Sequence, residues 1–373
     1  MTDLLRAIEI DRPARIAFGP GQVAAIGPWA RERDITRSLV IAGASNAARV
    51  ELLGLPGEVT VFGAVKPEPD IPNLEAALAI AERTRPQLVV GFGGGSAMDL
   101  AKLVAVLPGS GQTLAEVVGP EKVARRSVAL AQVATTSGTG SEAGSRALVT
   151  DPTSRNKLAV QSRHMVADLA VIDPDLTMSV PAAVTAATGV DALAHCAEAF
   201  TSRKAHPLID LYALEGIRLV GRFLARAVAD GSDREARAGL ALASLYGGFC
   251  LGPVNTTAGH AVAYPLGTRH HVAHGLACAV IFPHTLAFNA SAMPEKTALV
   301  LDALGLGGAR DALAAAHGYC TALGIEMRLS RLGVPEDDLP AMATEAHAIR
   351  RLLDNNPREM SREQILEIYR AAL

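Results

Sequence analysis

The 373-residue chain is poor in several things, and each shortage narrows what it can be. Four cysteines (Cys196, Cys250, Cys278 and Cys320) lie far apart with no CxxC spacing, and read as reduced, mostly buried thiols of a cytoplasmic protein. Strong charge of either sign is absent. The 35 Lys and Arg are mixed with 38 Asp and Glu for a net charge of −3, so the basic stripe of a nucleic-acid binder is missing. No window of about 18 apolar residues is free of charge, which excludes a membrane-spanning helix. The N-terminal MTDLLRAIEIDRPARIAF carries early charges and no uninterrupted apolar core, unlike a signal peptide.

What is there is apolar and long. At 49% apolar and 20% charged residues the composition is that of a compact protein with ample core, and the length predicts two domains, 1–178 and 179–373. In the first, short apolar runs end in turn residues: Arg15 to Phe18, Ser38 to Ala42, Val59 to Phe62, Gln87 to Phe92, Ser127 to Ala134 and Val166 to Asp173. Helical spacing fills Asn73 to Arg83 and Ala97 to Leu107, while Arg146 to Thr150 and Lys157 to Val160 flank a turn at Asp151 to Asn156 as a hairpin. Strand and helix alternating over short links predict an α/β, doubly wound parallel sheet. From Pro181 the pattern becomes helical, through Leu208 to Val228, Asp233 to Leu251, Lys296 to Leu304, Arg310 to Leu323 and Arg362 to Leu373. The second domain is therefore expected to be all-α.

Two loops of the first domain suit a dinucleotide. Gly93-Gly94-Gly95-Ser96 stands between a strand and a helix, where backbone N–H groups approach a pyrophosphate and the helix N-terminus favours its charge. Thr135 to Ser141 follows the next strand and supplies hydroxyls and bare backbone. Two such loops at the ends of successive strands point to one crevice, although a glycine run alone is often only a tight turn. Lys157 is either a surface charge or a cation over the cofactor.

The second domain carries a different chemistry. GVDALAHCAEAF places Asp191 and His195 four apart in an alanine-rich segment, hence on one helix face. GHAVAYPLGTRHHVAHG adds His260 and His274, with Pro265 and Gly267 expected to break the chain into two short pieces. Three imidazoles and a carboxylate suit Fe(II), Zn(II), Co(II) or Ni(II) rather than Mg or Ca. A lone histidine on such a helix is ordinarily a satisfied core residue, but seven of the ten histidines fall between His195 and His284. Such a metal would face a cleft between the two domains, where ligand sites are common. Cys196, beside His195, diverges from it by about 100° on a helix and is not counted as a ligand.

These motifs, with the early FGPG, GGGS-AMDLAK, TTSGTGSEA, DLAVIDPDLT, YPLG and the terminal EIYRAAL, resemble the group III, iron-containing alcohol dehydrogenases. That superfamily also holds maleylacetate reductase, glycerol dehydrogenase and dehydroquinate synthase, and the likeness spans essentially the whole chain. The resemblance implies metal ligands at Asp191, His195, His260 and His274, with Fe(II) the expected ion and Zn(II) an alternative. It implies pyrophosphate contacts at Gly94, Gly95, Ser96 and Asp99, and further nucleotide contacts at Thr135, Thr136, Thr139 and Lys157. Two positions depart from the best-known members. Tyr264 stands where they carry a proton-relaying histidine, leaving His271 or His270 as substitutes. After the second strand the run Ile41-Ala42-Gly43-Ala44-Ser45 holds no acid to meet a ribose 2′-hydroxyl, so at Gly43 NADP(H) is expected to be accepted beside NAD(H).

The activity implied is metal-dependent, NAD(P)-linked interconversion of a small alcohol and its carbonyl. Arg269, with His270 and His271, offers positive charge for an anionic group on that substrate. A homo-oligomer, a dimer or larger, is the expected assembly, with no nucleic acid and no membrane as partner. The principal alternative is a maleylacetate reductase-like reduction of an oxo acid without obligatory metal. A dehydroquinate synthase-like lyase and a non-catalytic nucleotide sensor are more distant ones.

Overall fold

The computed structural model describes residues 4–154 and 156–373; residues 1–3 of the N-terminal segment and Arg155 of the expected turn lie outside the described residues. The chain divides into two compact units. One takes Ile10–Thr136 and Gly140–Met178, the other Met1–Glu9, Ser137–Thr139 and Ser179–Leu373.

Among the described residues the first unit contains nine strands: β1 (Arg15–Phe18), β2 (Arg37–Ala42), β3 (Glu58–Phe62), β4 (Leu88–Gly93), β5 (Gly119–Pro120), β6 (Ala129–Ala134), β7 (Arg146–Asp151), β8 (Asn156–Gln161) and β9 (Leu169–Ile172). Its helices are α1 (Ile26–Arg31), α2 (Ala44–Ala47), α3 (Ile71–Thr84), α4 (Gly95–Val106) and α5 (Leu114–Val117). Six strands form one parallel sheet in the order β1-β9-β6-β4-β2-β3. All of β4 (LVVGFG) is buried, as befits a central parallel strand with both faces covered. Two apolar layers cover it, one built with Leu39, Leu100 and Leu103, the other with Ile26, Trp29 and Val90. The chain runs from β2 out to the edge strand β3, then returns to β4 on the other side of β2. That reversal opens a crevice at the carboxyl ends of β2 and β4, where open α/β sheets bind ligands. β7 and β8 pair antiparallel as the expected hairpin and, with β5, make a second small sheet. Asp70 caps α3 by accepting from the Asn73 N–H at 2.8 Å, and a left-handed Arg85 ends it.

The second unit is all-helical: α6 (Ala182–Thr201), α7 (Pro207–Ala229), α8 (Arg234–Leu251), α9 (Ala258–His270), α10 (His274–Ala290), α11 (Pro294–Ala303), α12 (Ala312–Ala322), α13 (Leu339–His347), α14 (Arg350–Leu353) and α15 (Arg362–Ala371). Among the described residues no helix is long and apolar enough to cross a membrane. α6 packs against α7, α8 and α10, and every residue from Gly189 to Thr201 is buried. Neighbouring glycines make this closeness possible. A Cβ on Gly216 would stand 2.5 Å from Cys196 Sγ, and one on Gly189 would stand 2.3 Å from Leu224 Cδ1.

One local expectation is corrected. Pro265 and Gly267 do not divide the segment between His260 and His274, because α9 runs through both. The break comes at His271, whose φ of 55° is left-handed, and the Val272 N–H closes the helix on the Leu266 carbonyl at 3.2 Å. The His271 N–H also donates to the Gly267 carbonyl at 3.1 Å, the bond of an αL ending with histidine in the place glycine usually takes. α10 and α13 extend the helical pattern beyond the segments expected; an internal proline, Pro283, masks the periodicity of α10.

Candidate metal centre and nucleotide loops

α6 presents Asp191, His195 and Glu198 along one face, at i, i+4 and i+7. His260 lies in the first turn of α9, and His274 opens α10. These three helices bring one donor atom each from Asp191, His195, His260 and His274 to within 4.8 Å of one another. The Nε2 atoms of His195, His260 and His274 stand 3.8, 3.5 and 3.6 Å from the single oxygen Asp191 Oδ1. Donors bound at about 2.1 Å in tetrahedral array are separated by about 3.4 Å, so the set is spaced for one cation.

The surroundings turn these atoms inward. His195 Nδ1 faces the Gly138 carbonyl at 3.2 Å, and His260 Nδ1 faces Glu198 Oε1 at 2.6 Å. With both Nδ1–H groups donating outward, the Nε2 lone pairs converge. Asp191 Oδ1 and His260 Nε2 are buried without a hydrogen-bond partner. Orphaned polar atoms in a protein interior are costly, and a cation between them would satisfy both. Burial opposes ionisation of Asp191, but the imidazoles of His195, His274 and His260 outweigh it and hold the carboxyl well below the usual range. Burial lowers the pKa of His195, favouring the neutral ring that a metal requires.

Glu198 was not anticipated from the sequence. Its second oxygen accepts the N–H of Thr257 at 2.6 Å and that of His260 at 3.3 Å, so it also holds the start of α9. A Cβ on Gly259 would lie 2.6 Å from Glu198 Oε1, so only glycine admits the carboxylate there. Its position seven residues after Asp191 was the available signal.

The relay and substrate candidates separate. Tyr264, one turn beyond His260, has its ring 6.5 Å from that of His260 and 6.0 Å from that of His274. His271 is the exposed residue that ends α9. Arg269 donates to Glu345 at 2.7 Å and lies 3.6 Å from Asp338, which also faces His270 Nε2 at 3.2 Å. The charge that the sequence offers to an anionic substrate at Arg269 is thus compensated by two carboxylates within the fold. Cys278, one turn beyond His274, has its buried thiol 3.8 Å from His274 Nε2, and burial pushes its pKa up to about 12.

In the sheet unit, Gly43 caps α2 after β2, Gly94 caps α4 after β4 with Gly95 and Ser96 in its first turn, and Thr135 and Thr136 follow β6. The Thr135 N–H donates to the Gly93 carbonyl at 3.0 Å, and Asn46 Nδ2 to Thr135 Oγ1 at 3.2 Å, tying the three strand ends together. A Cβ on Gly94 would lie 2.9 Å from Thr136 Oγ1. Two expected nucleotide contacts are engaged elsewhere. Asp99 accepts from Ser141 Oγ at 2.6 Å and from the Leu148 N–H at 2.9 Å, which anchors the hairpin. Lys157 pairs with Glu68 at 3.0 Å. Thr139 groups with the helical unit, in the loop that supplies the Gly138 carbonyl. Beneath the loops the fully buried Lys102 donates to Ser141 Oγ and to the Arg146 carbonyl, both at 2.7 Å.

Family models cover nearly the whole chain: iron-containing alcohol dehydrogenase over residues 13–174, and the C-terminal domain of the Fe-containing alcohol dehydrogenase family over residues 185–373. The chain belongs to the iron-containing alcohol dehydrogenase family. It is 37% identical over 325 residues to long-chain-alcohol dehydrogenase 1 of Geobacillus thermodenitrificans, covering 84% of this chain and 82% of that protein. It is 35% identical over 324 residues to the sulfoacetaldehyde reductase of Bilophila wadsworthia, covering 84% of each. The crystal structure of a 1,3-propanediol oxidoreductase superposes with a TM-score of 0.93 at 32% identity, over 99% of this chain and 100% of that one. This member of the iron-containing alcohol dehydrogenases is accordingly an oxidoreductase, with an N-terminal α/β parallel-sheet domain and a helical C-terminal domain.

Proposed function

We propose that this protein is a metal-dependent, NAD(P)-linked alcohol dehydrogenase or aldehyde reductase acting on a small substrate, with Asp191, His195, His260 and His274 as the metal ligands. The observation that carries the reading is the convergence of three Nε2 atoms on the partnerless Asp191 Oδ1. When bound, Fe(II), or Zn(II) in its place, would supply Lewis acidity toward a carbonyl oxygen, and a nicotinamide would supply the hydride.

The chain's own residues do the remaining work. Asp191 gives the site a fixed negative charge, and Glu198 and the Gly138 carbonyl hold two imidazoles in the required tautomer. The Tyr264 phenol, beside two ligand rings, is the group we assign to hold a proton near the reacting oxygen, in preference to His270 and His271. The N-terminus of α4, opened by Gly94, Gly95 and Ser96, offers backbone N–H groups to a pyrophosphate, with Gly43, Thr135 and Thr136 beside it. With no acid after β2, that pocket accepts NADP(H) as well as NAD(H). A cytoplasmic homodimer is the assembly that accompanies this reading.

The test begins with protein purified without air and stripped by a chelator, then given Fe(II), Zn(II) or nothing. Oxidation of NADH and NADPH is followed with a panel of short aldehydes and oxo acids. Metal-restored turnover supports the proposal. Equal turnover without metal would transfer it to a maleylacetate reductase-like reaction.

A further inference from the structure

α14 is a single turn, Arg350–Leu353, divided between surface and core. Leu352 and Leu353 are buried and anchor it, while Arg350 and Arg351 stay exposed. Arg350 is paired with Asp354. Among the described residues no carboxylate pairs with Arg351. Its guanidinium lies instead over the ring of Tyr264, with Cζ 5.5 Å from the centroid. Tyr264 is buried, and its ring in turn neighbours those of His260 and His274. One aromatic ring therefore separates an uncompensated cation from the candidate metal ligands.

The backbone that carries this cation is held. The buried Asn355 donates to the Arg351 carbonyl at 3.1 Å and to the Thr256 carbonyl at 3.0 Å, and Thr256 leads directly into the helix of His260. The Asn355 carbonyl accepts the Arg203 N–H and Ser202 Oγ, each at 3.0 Å. These bonds fix the start of the Arg351 side chain relative to α9, while its exposed end can turn toward a ligand.

We propose that Arg351 recognises the anionic end of the substrate, and that the substrate is a short aldehyde carrying a carboxylate or sulfonate. This rests on the metal-centred reading above. A planar guanidinium takes either oxyanion through two parallel N–H donors, and stacking on an aromatic face holds its plane ready. Arg269 cannot play the part because Glu345 and Asp338 already neutralise it. With the anion at Arg351 and the carbonyl at the ligand set, the chain between them would lie along Tyr264.

The experiment compares wild type, Arg351→Ala and Arg351→Lys as metal-loaded, full-length enzymes. Turnover is measured with butyraldehyde, succinate semialdehyde and sulfoacetaldehyde. Binding of the corresponding alcohols, 1-butanol, 4-hydroxybutyrate and 2-hydroxyethanesulfonate, is measured separately by calorimetry. Arg351→Ala should raise KM for the preferred anionic aldehyde, and weaken binding of its alcohol, by about 10- to 100-fold, as loss of a charged hydrogen-bond pair does. KM for butyraldehyde and the affinity for 1-butanol should stay within about two-fold, the change expected where no such bond is lost. Arg351→Lys should recover part of the loss, since it restores charge without the fork. The larger effect, on succinate semialdehyde or on sulfoacetaldehyde, names the preferred pairing of oxyanion and chain length. Equal losses on neutral and anionic compounds would overturn the proposal, as would an unchanged affinity for both anions. Because the calorimetric arm needs no turnover, failure of the metal-centred reading would show separately, as absent metal-dependent reduction of every aldehyde.

Discussion

Glu198 and His260 meet at 2.6 Å, Oε1 to Nδ1, and the same carboxylate accepts the backbone N–H groups at the start of the helix that carries His260. One buried side chain thus fixes both the direction of a candidate ligand's ring and the position of its backbone. Outer carboxylates of this kind typically contribute 10- to 100-fold to metal affinity. Glu198→Gln should therefore lower affinity for Zn(II) or Co(II) by about that factor, read by titration against a competing chelator. An unchanged affinity would reduce Glu198 to a helix cap.

Gly259→Ala should act through the same carboxylate. The new methyl would stand 2.6 Å from Glu198 Oε1, and overpacking of this kind costs about 1–3 kcal/mol. In a Glu198→Ala background that clash is gone, so the two substitutions should be strongly non-additive in a denaturation cycle. Additive effects would place the strain elsewhere.

His260→Ala removes a donor that lies 3.5 Å from Asp191 Oδ1. Metal retention and turnover should both be lost. Binding of NADH or NADPH, followed by fluorescence, should stay within about three-fold, because Gly43, Gly94, Gly95, Ser96, Thr135 and Thr136 belong to a different folding unit. A parallel collapse of nucleotide binding would argue against separate sites.

Glu142, in the sheet unit, offers a pH test on a group that is not a candidate metal ligand. It is buried, and desolvation raises its pKa from 4.5 to about 7, against its own backbone N–H and the charge of Lys102. The folded state then holds the proton more tightly than the unfolded chain. Its contribution is complete below the unfolded pKa and is lost as pH rises through the folded value. Wild type should lose on the order of 3 kcal/mol relative to Glu142→Gln between about pH 5 and pH 8, read from denaturant midpoints. Identical pH profiles for the two proteins would show that Glu142 is ionised without penalty.

Much of this was legible in the chain because it is locally encoded. Apolar runs ending in glycine or threonine mark β2, β4 and β6, and the spacing of Asp191 and His195 fixes their common face. What escaped depends on contacts distant in sequence. Glu198 reads as one more charge on an alanine-rich helix until α9 delivers its N–H groups and the bare Cα of Gly259. Arg269 sits in a run of positive residues, and its neutralising partner Glu345 lies 76 residues further on. Pro265 looks like a breaker, yet α9 runs through it and ends at His271 instead.

The burial of α6 bears on how such an enzyme can change over time. From Gly189 to Thr201 the helix has no solvent-facing side, and it carries Asp191, His195 and Glu198 together. Nearly every substitution there must disturb packing, so lineages that acquire new substrates will leave this segment alone. Variation is instead free on surfaces such as α14, where Arg350 and Arg351 face outward. A mutational library aimed at new substrates would therefore yield most of its viable variants at α14 and few at α6.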